Sequence, residues 1–401
     1  MAIDARGLGR RRVMAEIRKA GRVARVDLAR DTDISQATVT TITAELIRAG
    51  LIEETKRDDG QTDLKRGRPR VDLKVRGDAH LVAGIKLSDL SLSAVLADFE
   101  NTPLAEYTVT LPPRAFEAEE LAETLAAALS ALMSKAGRAV ADLSGIGLGV
   151  SGVVDGTRGF VYWSPSLTRR NVDLKSVLEA RLRLPVFLDN DANLVAVAEQ
   201  YYGEGRNVSD FLVVTVEHGV GMGIVLGDEV YRGTRGCGAE FGHTKVQLEG
   251  ALCRCGQRGC LEAYVADYAM LREASVSTDL PIGGTKSDRL NALAASARSG
   301  DAMAKQIVER ARNMFLLGLA NLVNIFDPEL IVISGEQMQF DYLVAADVED
   351  NIQRAIVQVD MPPPKIVIQK WDDHMWARGA TAYAIDGVTE MALAEVGEHA
   401  A

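Results

Sequence analysis

Residues 240–262 read EFGHTKVQLEGALCRCGQRGCLE, and the rest of the chain is best read outward from them. The stretch holds His243, Cys253, Cys255 and Cys260 in the spacing H-x9-C-x-C-x4-C. Three thiolates and an imidazole complete a tetrahedral zinc shell, and a shell closed by four protein ligands is structural, not catalytic. Gly256 and Gly259 let the backbone bend between the sulfurs. Three of the chain's four cysteines fall in this cluster, which outside an oxidising compartment reads as metal ligation before disulfides. Buried or redox-active thiols are the competing account. Cys237 lies outside the spacing and reads as a small packed hydrophobe.

The 401 residues are long for one core, so two or three domains are expected. The opening MAIDARGLGRRR has basic residues with no apolar run behind them, which does not read as a secretory signal. No run of about 18 apolar residues offers a membrane span. The cytoplasm is therefore the default compartment. The net charge of −11 hides an asymmetry. Residues 1–76 hold 18 Lys+Arg against 12 Asp+Glu, whereas the remainder holds 27 against 44. A basic head on an acidic body points to a polyanion met by the head alone, with chance clustering as the bland alternative.

The pattern of the head says more than its charge. Val13, Ile17 and Ala20 recur at helical spacing before Gly21, and a short helix starts at Val26 and ends near Asp33. Ser35 then reads as the N-cap of a helix from Gln36 to Ala49, with Val39, Ile42, Leu46 and Ile47 as its apolar stripe. Two helices joined by a tight turn, the second polar at its start, match a helix-turn-helix whose first turns meet base edges in the major groove. Ser35, Gln36, Ala37, Thr38 and Thr40 are the candidate contacts. Gln36 is the best base reader, since an amide can hold adenine's N6 and N7 together. A plain three-helix bundle used for protein contact is the competing reading. A strand starts at Leu51, and the charged stretch to Lys65 reads as a wing tip. In RGRPR (66–70), Arg66 and Arg68 suit a narrow minor groove, and a solvated basic linker fits equally well.

From Leu81 the pattern changes to apolar strands with intervening helices. Strands are expected at 81–85, 92–97, 107–111, 146–150 and 186–188, then at 211–216, 223–226, 229–231 and 330–334, with helices at 117–137 and from about 262. Two similar halves predict an α/β protein of two lobes with a cleft between them.

Three stretches then go beyond class: LDNDAN (188–193) with Glu199, GAEFGH (238–243), and CRCGQRGCLE (253–262). In order and spacing they resemble the ROK family of repressors, open reading frames and kinases. The resemblance covers nearly the whole chain, including the winged helix that marks the family's repressors, such as those for xylose and N-acetylglucosamine. It implies a winged helix-turn-helix domain (1–76, with its basic linker) ahead of an actin-like, ribonuclease-H-like duplicated α/β fold. That fold divides into a small lobe at 77–190, completed by a C-terminal helix at 378–396, and a large lobe at 191–377 carrying the zinc loop 243–260. It also implies that Asn190, Asp191, Glu240, His243 and Glu262 contact sugar hydroxyls, His243 giving one ring nitrogen to zinc and the other to the sugar. Taken singly, each carboxylate reads as a surface charge or salt-bridge partner.

In the family's kinases, Asp191 corresponds to the base that deprotonates the sugar hydroxyl. The kinases also cradle the nucleotide's phosphates in a hairpin of the form D-x-G-G-T. Here that hairpin is GIKLSDLS (84–91), with Lys86 for the aspartate and side chains in place of the glycines. The loop TVEHGVG (215–221) keeps its glycines but sets Glu217 and His218 beside the expected phosphates, and the late Gly-Gly pair reads Ser334-Gly335. The expectation is a retained sugar site, a lost nucleotide site and no catalysis. The partners expected are operator DNA, a monosaccharide effector and a second copy or three further copies of the chain. A sugar kinase with an accessory DNA-binding head is the alternative. A sensor of phosphorylated sugar, with Lys86 or Arg169 at the phosphate, is a third reading.

Overall fold

A computed structural model describes residues 5–56, 71–88, 90–277, 283–335, 348–357, 362–369 and 373–399. The chain forms two compact units: residues 1–150 with 158–188 and 377–401, and residues 151–157 with 189–376. The expected wing tip and RGRPR, with Arg66 and Arg68, lie outside the described residues, as does Asp89.

The first unit opens with α1 (Ala5–Ala20), β1 (Val23–Ala24), α2 (Arg25–Asp31), α3 (Gln36–Arg48), β2 (Ile52–Lys56) and β3 (Val71–Val75). The Ser35 hydroxyl accepts the Thr38 N–H at 3.2 Å, which is the expected cap. Val39, Ile42 and Leu46 are buried against Val13, Met14 and Ile17 of α1. β3 was not anticipated: the sequence reading placed no strand between RGRPR (66–70) and Leu81. Leu73 and Val75 are buried, and β3 is the central strand in the order β1-β3-β2, pairing Ile52 with Val75 and Lys56 with Val71.

Next come β4 (Leu81–Leu87), β5 (Ser91–Asp98), β6 (Pro103–Thr110), α4 (Ala118–Lys135), β7 (Gly145–Val150), β8 (Val153–Asp155), β9 (Phe160–Trp163), α5 (Leu174–Leu182) and β10 (Val186–Asn190). The remaining elements are α6 (Asp191–Tyr202), β11 (Phe211–Val216), β12 (Val220–Leu226), β13 (Glu229–Val230), α7 (Glu262–Val265), α8 (Asp267–Ser277), α9 (Lys286–Arg298), α10 (Ala302–Phe326), β14 (Leu330–Ser334), α11 (Val348–Ala355), β15 (Lys365–Gln369) and α12 (Asp373–His399). Duplication shows in the strand order. One sheet runs β6-β5-β4-β7-β10 and the other β13-β12-β11-β14-β15. In each, three antiparallel strands are followed by a fourth parallel to the first, β4 with β7 and β11 with β14. Among the described residues no helix is long and apolar enough to cross a membrane.

Within the first unit, α12 lies directly on the sheet. A Cβ at Gly84 would stand 2.1 Å from the Ala377 carbonyl oxygen, and one at Gly147 would stand 1.9 Å from that of Ala380. Only hydrogen fits there. The other side of α12 joins the head: Ala384, Ile385, Val388 and Leu393 share one core with Val13, Met14 and Ile17. Arg18 of α1 ties the seam by donating to the Phe99 carbonyl at 2.7 Å and to the Thr389 hydroxyl at 3.0 Å.

In the second unit, α6 carries a strained carboxyl. Glu199 is fully buried; its Oε2 accepts the Glu204 N–H at 2.8 Å, and its Oε1 has no hydrogen-bond partner among the described residues. Loss of solvent pushes this carboxyl up from 4.5 to about 7, against the pull of that N–H. Such a group favours the folded state only while protonated. Its contribution is complete below about 4.5 and is lost as pH rises through about 7. Glu199→Gln is therefore expected to raise stability at pH above 7 by about 3 kcal/mol and to change little at pH below 5. Denaturation midpoints of both proteins across that range check it, and parallel curves would refute the buried-charge account.

Candidate metal centre and ligand site

The four residues picked out by spacing meet in the second unit. Their ligand atoms all lie within 4.8 Å of one another. Cys253 Sγ is 3.7 Å from His243 Nδ1, and Cys255 Sγ is 3.7 Å from Cys260 Sγ. A tetrahedral ion with metal–sulfur arms of about 2.3 Å needs donor separations of about 3.8 Å. The donor set thus fits a tetrahedral metal in both chemistry and size. Among protein groups alone, burial pushes the Cys260 thiol up to about 11, with Cys255 and Cys253 adding to it and Lys245 opposing. A divalent ion inverts that preference, since it favours the thiolate. Local structure holds the ligands in place. His243 ends a short 3-10 turn at Phe241–His243, while Lys245 bridges to Cys260 and Leu252 to Arg258 across the loop.

The residues that the resemblance assigns to a sugar gather beside this cluster. With Nδ1 turned to the sulfurs, His243 points Nε2 toward Glu240, 3.9 Å from its Oε2. Burial raises the Glu240 carboxyl above its ordinary range; His243 opposes, and Asp191 and Glu262 add to the rise. Glu240 therefore stands in the field of two further carboxylates. Glu262 opens α7, where its Oε1 accepts the Tyr268 hydroxyl at 3.1 Å and lies 3.5 Å from Cys253 Sγ. Asp191 is the first residue of α6, where the helix dipole favours a carboxylate, and Ser151 donates to its Oδ2 at 2.5 Å. Asn190 is the N-cap of that helix. Its Oδ1 accepts the Ala192 N–H at 2.9 Å and its Nδ2 donates to the Gly152 carbonyl at 2.8 Å. Among the described residues, these bonds leave one N–H and one lone pair of its side chain for a ligand.

Sequence reasoning missed the support beneath Asn190. Asp189 is fully buried and accepts from Arg232 Nε at 2.6 Å and Asn193 Nδ2 at 2.9 Å. Asp189 stood inside a quoted motif, but no spacing rule pairs it with an arginine 43 residues on. Of the hairpin that differs from the kinases, Lys86 is buried in β4, Ser88 N–H bonds to the Ser91 carbonyl at 2.9 Å, and Leu90 is exposed. Arg169, the other candidate for a phosphate, pairs with Glu117 at 3.2 Å.

The candidate nucleic-acid face is α3. Ser35, Gln36, Ala37, Thr38 and Thr40 are all exposed, as the helix-turn-helix reading requires. The Thr40 hydroxyl donates back to the Gln36 carbonyl at 2.7 Å, within the helix. The opposite face is anchored by Glu45, which takes a hydrogen bond from Arg10 at 2.9 Å and a second from Arg6. Burial raises this carboxyl, and the two guanidiniums together outweigh it and hold it below the usual range.

A winged helix-turn-helix joined to a duplicated α/β body with a Cys/His cluster defines a class of DNA-binding regulator built on a kinase-type fold. The chain belongs to the ROK family, whose model matches residues 83–386, and a winged helix-turn-helix DNA-binding model matches residues 10–53. The chain is similar to the xylose repressor of Caldicellulosiruptor bescii, at 28% identity over 373 residues that cover 90% of this chain and 92% of that protein. The crystal structure of a ROK family transcriptional regulator, homologous to the MLC protein of Escherichia coli, superposes with a TM-score of 0.79 at 25% identity, covering 97% of this chain and 99% of the other. A glucokinase from Streptomyces griseus, solved with glucose and AMPPNP, superposes with a TM-score of 0.63 at 28% identity and covers 76% of this chain and 99% of its own.

Proposed function

We propose that this protein is a sugar-responsive transcriptional repressor and not an enzyme. Residues 1–76 read operator DNA; Asn190, Asp191, Glu240, His243 and Glu262 hold a monosaccharide; and zinc on His243, Cys253, Cys255 and Cys260 fixes the imidazole. The observation that carries this reading is the exposed polar face at the start of α3, on a head that shares its core with α12. A regulator needs both, one to read DNA and the other to connect the head to the body. The sugar acts by holding one arrangement of the chain more tightly than another, since a ligand indifferent to both shifts nothing. Two copies read two half-sites, so the working form is a homodimer or a tetramer, acting where operator DNA is, in the cytoplasm.

Gln36→Ala is expected to cost about 1–3 kcal/mol at one base position and to relax preference there. Binding of the variant to a set of operator sequences mutated one base at a time measures it. If affinity and preference both survive, Gln36 is not the reader.

One observation favours the kinase alternative: Asp191, the counterpart of the catalytic base, is in place with Ser151 on its carboxylate. Lys86 and the bulky side chains of its hairpin stand against it, since close approach to phosphates needs backbone amides left open by glycine. ADP release from ATP and magnesium with a panel of monosaccharides is expected to stay at background. Turnover that Asp191→Asn abolishes would establish the kinase instead.

A further inference from the structure

Glu240 stands at the end of a loop, residues 232–240, that lies outside every helix and strand. The loop begins with Arg232, whose Nε donates to Asp189 Oδ2 at 2.6 Å and whose Nη1 donates to the Val230 carbonyl at 3.2 Å. Asp189 is fully buried and directly precedes Asn190 and Asp191. One ion pair therefore joins the strand end that delivers those two residues to the loop that delivers Glu240. Behind the pair the loop closes on itself, with the Gly238 N–H donating to the Arg232 carbonyl at 2.8 Å. It is also pressed against residues 155 and 156. A Cβ at Gly156 would stand 2.8 Å from Asp189 Cγ, and one at Gly236 would stand 2.8 Å from Asp155 Cα. Ala239, the residue before Glu240, takes a φ of 69°. A side-chain-bearing residue in this left-handed region is strained, and it persists where the surrounding structure holds it.

We propose that Arg232 is a positioning residue of the sugar site: by clipping the loop to Asp189, it fixes where the Glu240 carboxylate stands relative to Asn190 and Asp191. The part given to Glu240 rests on the sugar reading above; the clip itself does not. A guanidinium suits the task, because its planar fork holds the carboxylate and the Val230 carbonyl at once, whereas an ammonium is a single point of charge. Removing the arginine strands a buried carboxylate one residue from Asn190. Cys237 reports on the loop. Its thiol donates to the Arg235 carbonyl at 3.2 Å, and burial lifts it above its ordinary range, with Asp155 and Glu240 adding to the rise. A thiol held in this way reacts slowly, and a freed loop exposes it.

The test uses the full-length protein and reads iodoacetamide labelling of each cysteine by peptide mass, beside calorimetric titration with glucose, xylose and N-acetylglucosamine. Arg232→Gln is expected to label Cys237 about tenfold faster, while Cys253 and Cys260 label as in the parent. It is also expected to bind whichever sugar the parent binds about tenfold more weakly. Arg232→Lys, which keeps the charge and so protects the fold, is expected to show both effects at smaller size. Asp189→Asn added to Arg232→Gln removes the stranded charge and gives the glutamine a neutral partner, so it is expected to recover most of both losses. Thr234→Ala, exposed in the same loop, is expected to change neither. Parental labelling of Cys237 in Arg232→Gln overturns the clip. Faster labelling with parental sugar affinity overturns the placing of Glu240. If Arg232→Gln labels faster at all four cysteines it has unfolded, and Arg232→Lys decides by the same two criteria. A parent that binds none of the three sugars overturns the sugar reading instead, and labelling alone then judges the clip.

Discussion

Replacing Gly147 by alanine is expected to destabilise the protein by at least about 3 kcal/mol and to abolish operator binding. The new methyl would stand 1.9 Å from the carbonyl oxygen of Ala380. Overpacked cores usually relax by turning a side chain, at a cost of about 1–3 kcal/mol, but here the obstacle is helix backbone. Either α12 lifts off β7 or the strand bends away from it. Lifting α12 also strips Ala384, Ile385, Val388 and Leu393 from the core they share with α1, and pulls Thr389 from Arg18. The head is then left without its seat. Gly283→Ala serves as the control, because a Cβ there meets nothing within 4 Å. Urea midpoints and operator affinity of the two variants decide the matter. A Gly147→Ala protein as stable as its parent would mean that α12 does not lie on the sheet as described.

That prediction rests on features no local pattern reveals. Gly84 and Gly147 look like ordinary strand glycines until α12 is laid across them, at Ala377 and Ala380 far along the chain. Long-range fit of this kind has no sequence period. What was legible has one. The apolar runs at Phe211–Val216 and Leu330–Ser334 read as buried strands because every residue in them is buried. α3 was legible because Ser35 caps it and Val39, Ile42 and Leu46 recur on one face. β1 has two residues, and β15 alternates weakly at a sheet edge, so neither stood out. β3 was hidden by the arginines before it, which argued for a linker although Leu73 and Val75 alternate inward. The site divides the same way. The His243, Cys253, Cys255 and Cys260 side chains are close in sequence and meet in the structure, whereas the Asp189–Arg232 pair joins separate segments.

Under the proposed zinc assignment, Cys260→Ser is expected to lower bound zinc from about one ion per chain to near none. Serine keeps the shape of the side chain but supplies no thiolate, and three remaining donors hold zinc far more weakly. Apart from the ligands, the loop from 244 to 259 is held by hydrogen bonds such as Val246 N–H to the Gly259 carbonyl, Gly259 N–H to the Ala251 carbonyl and Ala251 N–H to the Tyr264 hydroxyl. Leu248 and Leu252 face solvent, and the bridges from Lys245 to Cys260 and from Leu252 to Arg258 are isolated. Apparent zinc-binding energies of about 10–16 kcal/mol in small zinc domains set the ceiling on what is lost, and the large surrounding core keeps the actual cost below it. The damage should still travel inward, because Cys253 and Cys260 pack with Phe241, Leu261 and Phe315 in the main core of the unit. His243 would lose the ion that fixes its ring while Glu240 stands 3.9 Å from its Nε2, so sugar affinity should fall together with the metal. Metal analysis, protease cleavage within 244–259 and sugar-induced thermal shift measure the three links separately. Full zinc content in Cys260→Ser would remove this residue from the ligand set. A metal-free protein with unchanged sugar affinity would instead show that the imidazole is held by its protein neighbours alone.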